Sequence, residues 1–130
     1  MVLAKGVLTA IDCDDPVGLA NFYLKIIGGE VHGFEFGESG DSGWVEIREG
    51  ERRLLAFQKI PNYQIPTWPI GSLPQQMHLD FQVGDLDEGE AFVLSIGAVK
   101  CDVQPGETFR VFLDPAGHPF CLVVPGALVP

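Results

Sequence analysis

The chain has 130 residues, a length at which a single domain buries roughly two thirds of the surface its unfolded form exposes, so no disulfide or metal staple is required. Eight Lys and Arg stand against 18 Asp and Glu, and the formal net charge of −10 repels nucleic acid and anionic lipid while favouring cationic or neutral ligands. The three cysteines (Cys13, Cys101, Cys121) are odd in number and two lie in apolar runs, which reads as reduced thiols in a cytoplasmic protein; the opening Met-Val-Leu-Ala-Lys is too short for a signal peptide, and no apolar run approaches the about 18 residues of a membrane span.

From the N-terminus, Val7 to Cys13 alternates as a strand with two different faces. A helix follows: Asp14 or Asp15 can cap it, Pro16 suits its first position, and Leu19, Phe22, Tyr23 and Ile26 form its apolar stripe before Gly28-Gly29 ends it. Glu30 to Phe36, Trp44 to Arg48 and Arg53 to Ile60 read as strands, separated by turn-rich stretches at Gly37 to Gly43 and Glu49 to Glu51. Pro61, Pro66, Pro69 and Pro74 then stiffen a connector that also carries Tyr63 and Trp68. Trp68 either covers a ligand at the rim of a cup or anchors the long loop to the core. Beyond the connector come a strand over Met77 to Val83, a helix from about Leu86 to Ile96, and strands near Val99 to Val103, Phe109 to Leu113 and Phe120 to Val124. Asp114-Pro115-Ala116-Gly117 is the turn between the last two, with Gly117 suited to a left-handed position.

The two halves echo each other. Asp15, Phe22, Leu24 and Ile26 recur 70 positions later as Asp85, Phe92, Leu94 and Ile96, and each run ends in an Ile-Gly step. The expected fold is therefore α+β: two βαβββ modules, residues 1–60 and 77–130 joined by the connector 61–76, forming one domain with a curved, mostly antiparallel eight-stranded sheet and a concave cup.

Several of these stretches carry a family resemblance: Asp12-Cys13-Asp14-Asp15-Pro16, Phe57-Gln58, Gln76-Met77-His78-Leu79-Asp80, Asp85-Leu86-Asp87, Ile96-Gly97-Ala98, and Asp114 to Leu122. Together with the paired module order they resemble the vicinal oxygen chelate superfamily, and more narrowly its bacterial glyoxalase-like domain proteins. That superfamily includes glyoxalase I, extradiol dioxygenases, and fosfomycin- and bleomycin-resistance proteins. The resemblance implies the glyoxalase/bleomycin resistance fold and a homodimer. In metal-dependent members the ligands lie at positions matched here by Leu8, Gln58, His78 and Cys121. Leu8 cannot bind a metal, Gln58 is a weak neutral donor, and Cys121 stands where the family usually has Glu.

Strand periodicity places these residues independently. Leu79, Phe81 and Val83 share one face of their strand, so His78, Asp80 and Gln82 share the other. If the Leu79 face packs on the helix, His78, Gln58 and Cys121 converge in the cup, with Asp80, Asp12 and Trp68 on its wall. One reading makes His78, with Gln58 and Cys121, the ligand of a divalent metal such as Zn, Ni, Mn or Fe in a lyase, isomerase or dioxygenase. The other keeps His78 as a hydrogen-bonding cup residue and Cys121 as a small buried hydrophobe, in a metal-independent protein that binds a small organic ligand or sequesters a drug. The short donor set favours the second, and whether the protein is an enzyme is left open. His118 reads as structural, in the hairpin entering the last strand, and His32 stands alone. The acidic clusters Asp12-Asp14-Asp15 and Asp85-Asp87-Glu88 read as solvated helix starts.

Overall fold

The computed structural model describes residues 1–35 and 42–130, so most of the turn expected over Gly37 to Gly43 lies outside the described residues. The chain divides into two compact units, Met1–Tyr63 and Gln64–Pro130. The eight expected strands are all present, hydrogen-bonded as two four-stranded sheets rather than one continuous ladder.

The first unit runs β1 (Ala10–Cys13), α1 (Pro16–Ile27), β2 (Glu30–Glu35), β3 (Ser42–Glu49) and β4 (Arg52–Lys59). Its sheet has the order β1-β4-β3-β2, in which β1 is parallel to β4 and the other pairs are antiparallel. Helix α1 starts as its sequence dictates: the Asp15 carboxylate accepts the Gly18 N–H at 3.0 Å, and Pro16 sits where a missing N–H leaves no gap. It buries Leu19, Ala20, Phe22 and Tyr23, and Tyr23 stacks on Phe57 of β4 with ring centroids 5.8 Å apart. Val45, Ile47 and Phe57 complete this core, each apolar side chain contributing about 1.5–3 kcal/mol on burial. At the exit from α1, Gly29 has φ of +97° and lies so near Arg48 that a Cβ would come within 2.6 Å of that carbonyl oxygen, so the chain can turn into β2 here only with glycine.

Strand β1 is shorter than the expected Val7 to Cys13. Its alternation begins at Val7, but ladder pairing to β4 begins at Ala10, preceded by one bond from the Ala56 N–H to the Thr9 carbonyl. Val7 is 94 % exposed, so its apolar side chain finds no cover.

The second unit repeats the plan with β5 (Leu79–Gln82), α2 (Leu86–Ser95), β6 (Val99–Lys100), β7 (Phe109–Leu113) and β8 (Pro119–Val123), ordered β5-β8-β7-β6 with β5 parallel to β8. Asp85 caps α2 as Asp15 caps α1, accepting the Glu88 N–H at 2.9 Å. The echo fades along the helix, because Phe22 is buried whereas its counterpart Phe92 is 45 % exposed. Gly89 lets α2 approach β8 closely, since a Cβ there would lie 3.1 Å from Leu122. Phe120 packs between Phe81 and Phe112, at 6.0 and 5.6 Å, on this helix-facing side of the sheet.

Strand β6, expected to reach Val103, stops at Lys100 for a visible reason. The Gln104 side chain takes the place of a strand, donating to the Cys101 and Val111 carbonyls and accepting the Val111 N–H, each at 2.9 Å. In the β7–β8 turn, Asp114 is buried and its carboxylate accepts the N–H groups of Ala116 and His118 at 2.9 and 3.0 Å, while Gly117 takes φ of +84°. The His118 backbone thus closes the hairpin, in line with its structural reading. His32 faces Glu30 at 3.6 Å.

Candidate functional site

Alternation along β8 divides its residues between two environments. Phe120 and Leu122 belong to the helix side, and Pro119, Cys121 and Val123 line a cavity of about 270 Å³ on the other. Phe109 and Val111 of β7 continue that wall, Cys121 lying opposite Val111 in the antiparallel register and opposite Asp80 in the parallel one. His78 precedes β5 by one residue and shares the face of Asp80. The expected assignment of faces therefore holds: Leu79 and Phe81 lie on the helix side, and His78 and Asp80 line the cavity. Trp68 also lines it and packs on Val111, Cys121 and Val123, so the connector tryptophan both anchors its loop and forms a wall.

His78 Nε2 lies 3.1 Å from Asp80 Oδ1, and the Cys121 thiol lies beside the same carboxylate. Burial, then the charge and hydrogen bond of Asp80, then Cys101, push the Cys121 thiol up to about 12, so it is a neutral donor at ordinary pH and not a nucleophile. The side chains of His78 and Asp80 are 42 % and 41 % exposed, so their pairing orients the imidazole and adds little stability. One donor atom each from His78, Asp80 and Cys121 falls within 4.8 Å of the others. Imidazole, carboxylate and thiolate together suit a borderline-soft cation such as Zn²⁺, once the thiol has given up its proton.

Four of the six expected site residues, His78, Asp80, Cys121 and Trp68, thus line one cavity of the second unit. Gln58 and Asp12 belong to the first unit, where they face each other across the β1–β4 ladder and both are exposed. Among imidazole, thiol and carboxylate groups, Asp80 is the third donor beside His78 and Cys121. Val123 shares the face of Cys121 by the expected alternation, which reaches Pro119 as well, whereas Phe109 and Val111 of the neighbouring strand escaped the sequence reading of the site. Gln75, in the connector before β5, lines the cavity without any signal in the sequence pattern.

A second polar group in the first unit also went unread. Glu46 is only 2 % exposed, and its carboxylate accepts from Trp44 Nε1 at 2.9 Å and Arg48 Nε at 2.8 Å, with Arg53 at 3.4 Å. Burial opposes its charge, but the Trp44 and Arg48 hydrogen bonds and the two guanidinium charges prevail and hold it below the usual carboxylate value. Trp44, Glu46 and Arg48 alternate with the core residues Val45 and Ile47, which is the signal that could have found it.

Residues 9–123 match the family described as the glyoxalase-like domain. The chain belongs to that family. It is therefore a member of the vicinal oxygen chelate superfamily that the sequence resembles. Among solved structures, the glyoxalase family protein from Enterococcus faecalis is 22 % identical with a TM-score of 0.65, over 92 % of this chain and 97 % of that one. The fosfomycin resistance protein FosX from Listeria monocytogenes is 15 % identical with a TM-score of 0.65, over 98 % and 97 %. TnmS3, an antibiotic binding protein from Streptomyces sp. CB03234, is 19 % identical with a TM-score of 0.55, over 97 % and 99 %. At such identities the likeness establishes the fold. No curated protein matches the chain.

Proposed function

We propose that this glyoxalase-like protein binds a small organic ligand, preferably cationic, in the cavity of its second unit. The carrying observation is an aromatic and aliphatic wall (Trp68, Phe109, Val111) meeting a polar group in which His78, Asp80 and Cys121 bring their donor atoms within 4.8 Å of one another. Apolar walls with a few convergent polar groups are the usual make-up of small-molecule sites, and 270 Å³ lies just below their roughly 300–1,000 Å³ range, which suits a compact ligand. Asp80 gives the cavity an anionic side and the chain carries −10, so a cation is favoured over an anion. The antibiotic-binding relative TnmS3 supports a binding role on this fold by analogy. No helix among the described residues is long and apolar enough to cross a membrane. The same reading takes the chain as a cytoplasmic homodimer.

The donor cluster favours a second reading, in which His78, Asp80 and Cys121 hold a divalent metal. The metal would act as a Lewis acid toward ligand oxygens, in a lyase, isomerase or dioxygenase. The neutral Cys121 thiol weighs against it, because a metal must displace a proton held far above neutral pH. Heteronuclear NMR titration of the full chain with benzylammonium and with benzoate tests the first reading. Benzylammonium should shift the resonances of Trp68, Phe109 and Cys121, less so as salt is added, and benzoate should not. Binding of benzoate alone, or of neither compound, would remove this reading.

A further inference from the structure

Among the described residues one side-chain polar atom is sealed from solvent without a hydrogen-bond partner, and it is Oε1 of Gln75. Native proteins keep few such atoms, and each calls for a reason: strain, function, or a partner such as a water, an ion or a ligand. Leaving a buried acceptor unpaired costs the equivalent of roughly 5- to 150-fold in an equilibrium. Gln75 also lines the cavity beside Trp68, His78 and Asp80, so the sealed atom belongs to a side chain that a ligand would touch. The terminal torsion of a glutamine amide is broad, so a partial turn can bring the carbonyl to the cavity without moving the backbone. Asp80, by contrast, has neighbours in the same cavity, His78 at 3.1 Å and the Cys121 thiol.

We propose that Gln75 sets the specificity of this cavity, its amide carbonyl accepting a hydrogen bond from an N–H or O–H of the ligand. The inference rests on the binding function proposed above and narrows the ligand to a class: an amide, amine or hydroxyl compound whose polar hydrogen sits on an aromatic or branched apolar body. A ligand of the same shape with acceptors only leaves Gln75 unpaired and is rejected. Discrimination of this kind is stronger than a pocket achieves by shape, because the site's own polar group pays when the donor is missing.

The test uses benzamide and N,N-dimethylbenzamide, which share a ring and a carbonyl and differ in the amide hydrogens, titrated into the full chain and followed by NMR. The wild-type protein should bind benzamide roughly tenfold more tightly. Gln75→Leu should bring the two affinities together, while Gln75→Glu, which keeps an acceptor, should preserve the preference. Gln75→Leu should also melt no lower than wild type, since it removes a sealed carbonyl, and Gln75→Met serves the same purpose should the branched side chain not fit. Equal affinities in the wild type, or a preference that survives Gln75→Leu and so reflects the bulk of the methyl groups, would overturn the inference. If benzylammonium binds and the amides are not distinguished, only the role of Gln75 fails. If none of the three compounds binds, the ligand-binding function itself fails and takes the inference with it.

Discussion

Asp80 and Cys121 face each other across the parallel β5–β8 pair, and the carboxylate beside the thiol favours its protonated form. Parallel register puts the two side chains on one face of the sheet, so a residue two positions after His78 becomes the acceptor for a residue 41 positions further along the chain. A thiol in this setting stays protonated at ordinary pH, beside the Asp80 carboxylate on the cavity wall.

The pairing has a consequence at high pH. The folded state keeps Cys121 protonated up to about 12, against an ordinary thiol value of 9.0. Between those values the folded chain binds more protons than the unfolded one, so stability is fully present below the lower value and is lost as pH rises toward the upper. Urea unfolding at about pH 8 and about pH 10.5 should show a decline that Cys121→Ser reduces. An unchanged decline in the variant would mean that Cys121 is not the group responsible.

The sequence carried the site wherever the argument depended on period two. His78, Asp80 and Cys121 could be placed on one face because alternation leaves a strand residue only two directions. It carried the helix starts too, since Asp15 and Asp85 need only their own first turns to act. What depended on partners was less legible. Val7 alternates like a strand residue but lies before the ladder to β4 begins, and Phe92 repeats Phe22 without sharing its burial. The arginines around the buried Glu46 depend on a register shift between Ile47 and Arg48, which brings Arg53 opposite Arg48. Gln75 reaches the cavity from an irregular segment, where no periodicity says which way a side chain turns.

The two caps can be compared directly. Asp15→Ala and Asp85→Ala each remove one carboxylate-to-N–H bond at a helix start, and each should cost about 1 kcal/mol. Denaturant unfolding measures both. Substitution by Asn, which keeps an acceptor at the same place, should recover most of the loss, and failure to recover it would point to charge rather than the hydrogen bond.

Glu46 governs the acid side. Its folded-state value lies below the ordinary 4.5, so the stability it contributes is present above that value and disappears as pH falls through the folded one. Glu46→Gln should cost about 2 kcal/mol at neutral pH, discounted for the exposure of Arg53, and the deficit should shrink as the pH is lowered below about 4.5. A constant deficit across the acid range would assign the loss to packing.

Metal titration separates the two readings of the cavity. A cation that binds only the folded state raises the melting temperature by mass action, so Zn²⁺, Ni²⁺ or Mn²⁺ held by His78, Asp80 and Cys121 should give a shift that His78→Ala abolishes. The ligand-binding reading expects no His78-dependent shift near neutral pH. There the cation must compete with the proton on Cys121, and the two exposed donors that remain, an imidazole and a carboxylate, make a weak site. Raising the pH should help the metal, because every thiol proton lost frees a ligand. A shift that grows between about pH 7 and about pH 9 and vanishes in Cys121→Ser would show the thiolate as a ligand. Stoichiometric metal retained through purification, and lost in His78→Ala, would move the protein from the binding to the metal-dependent class.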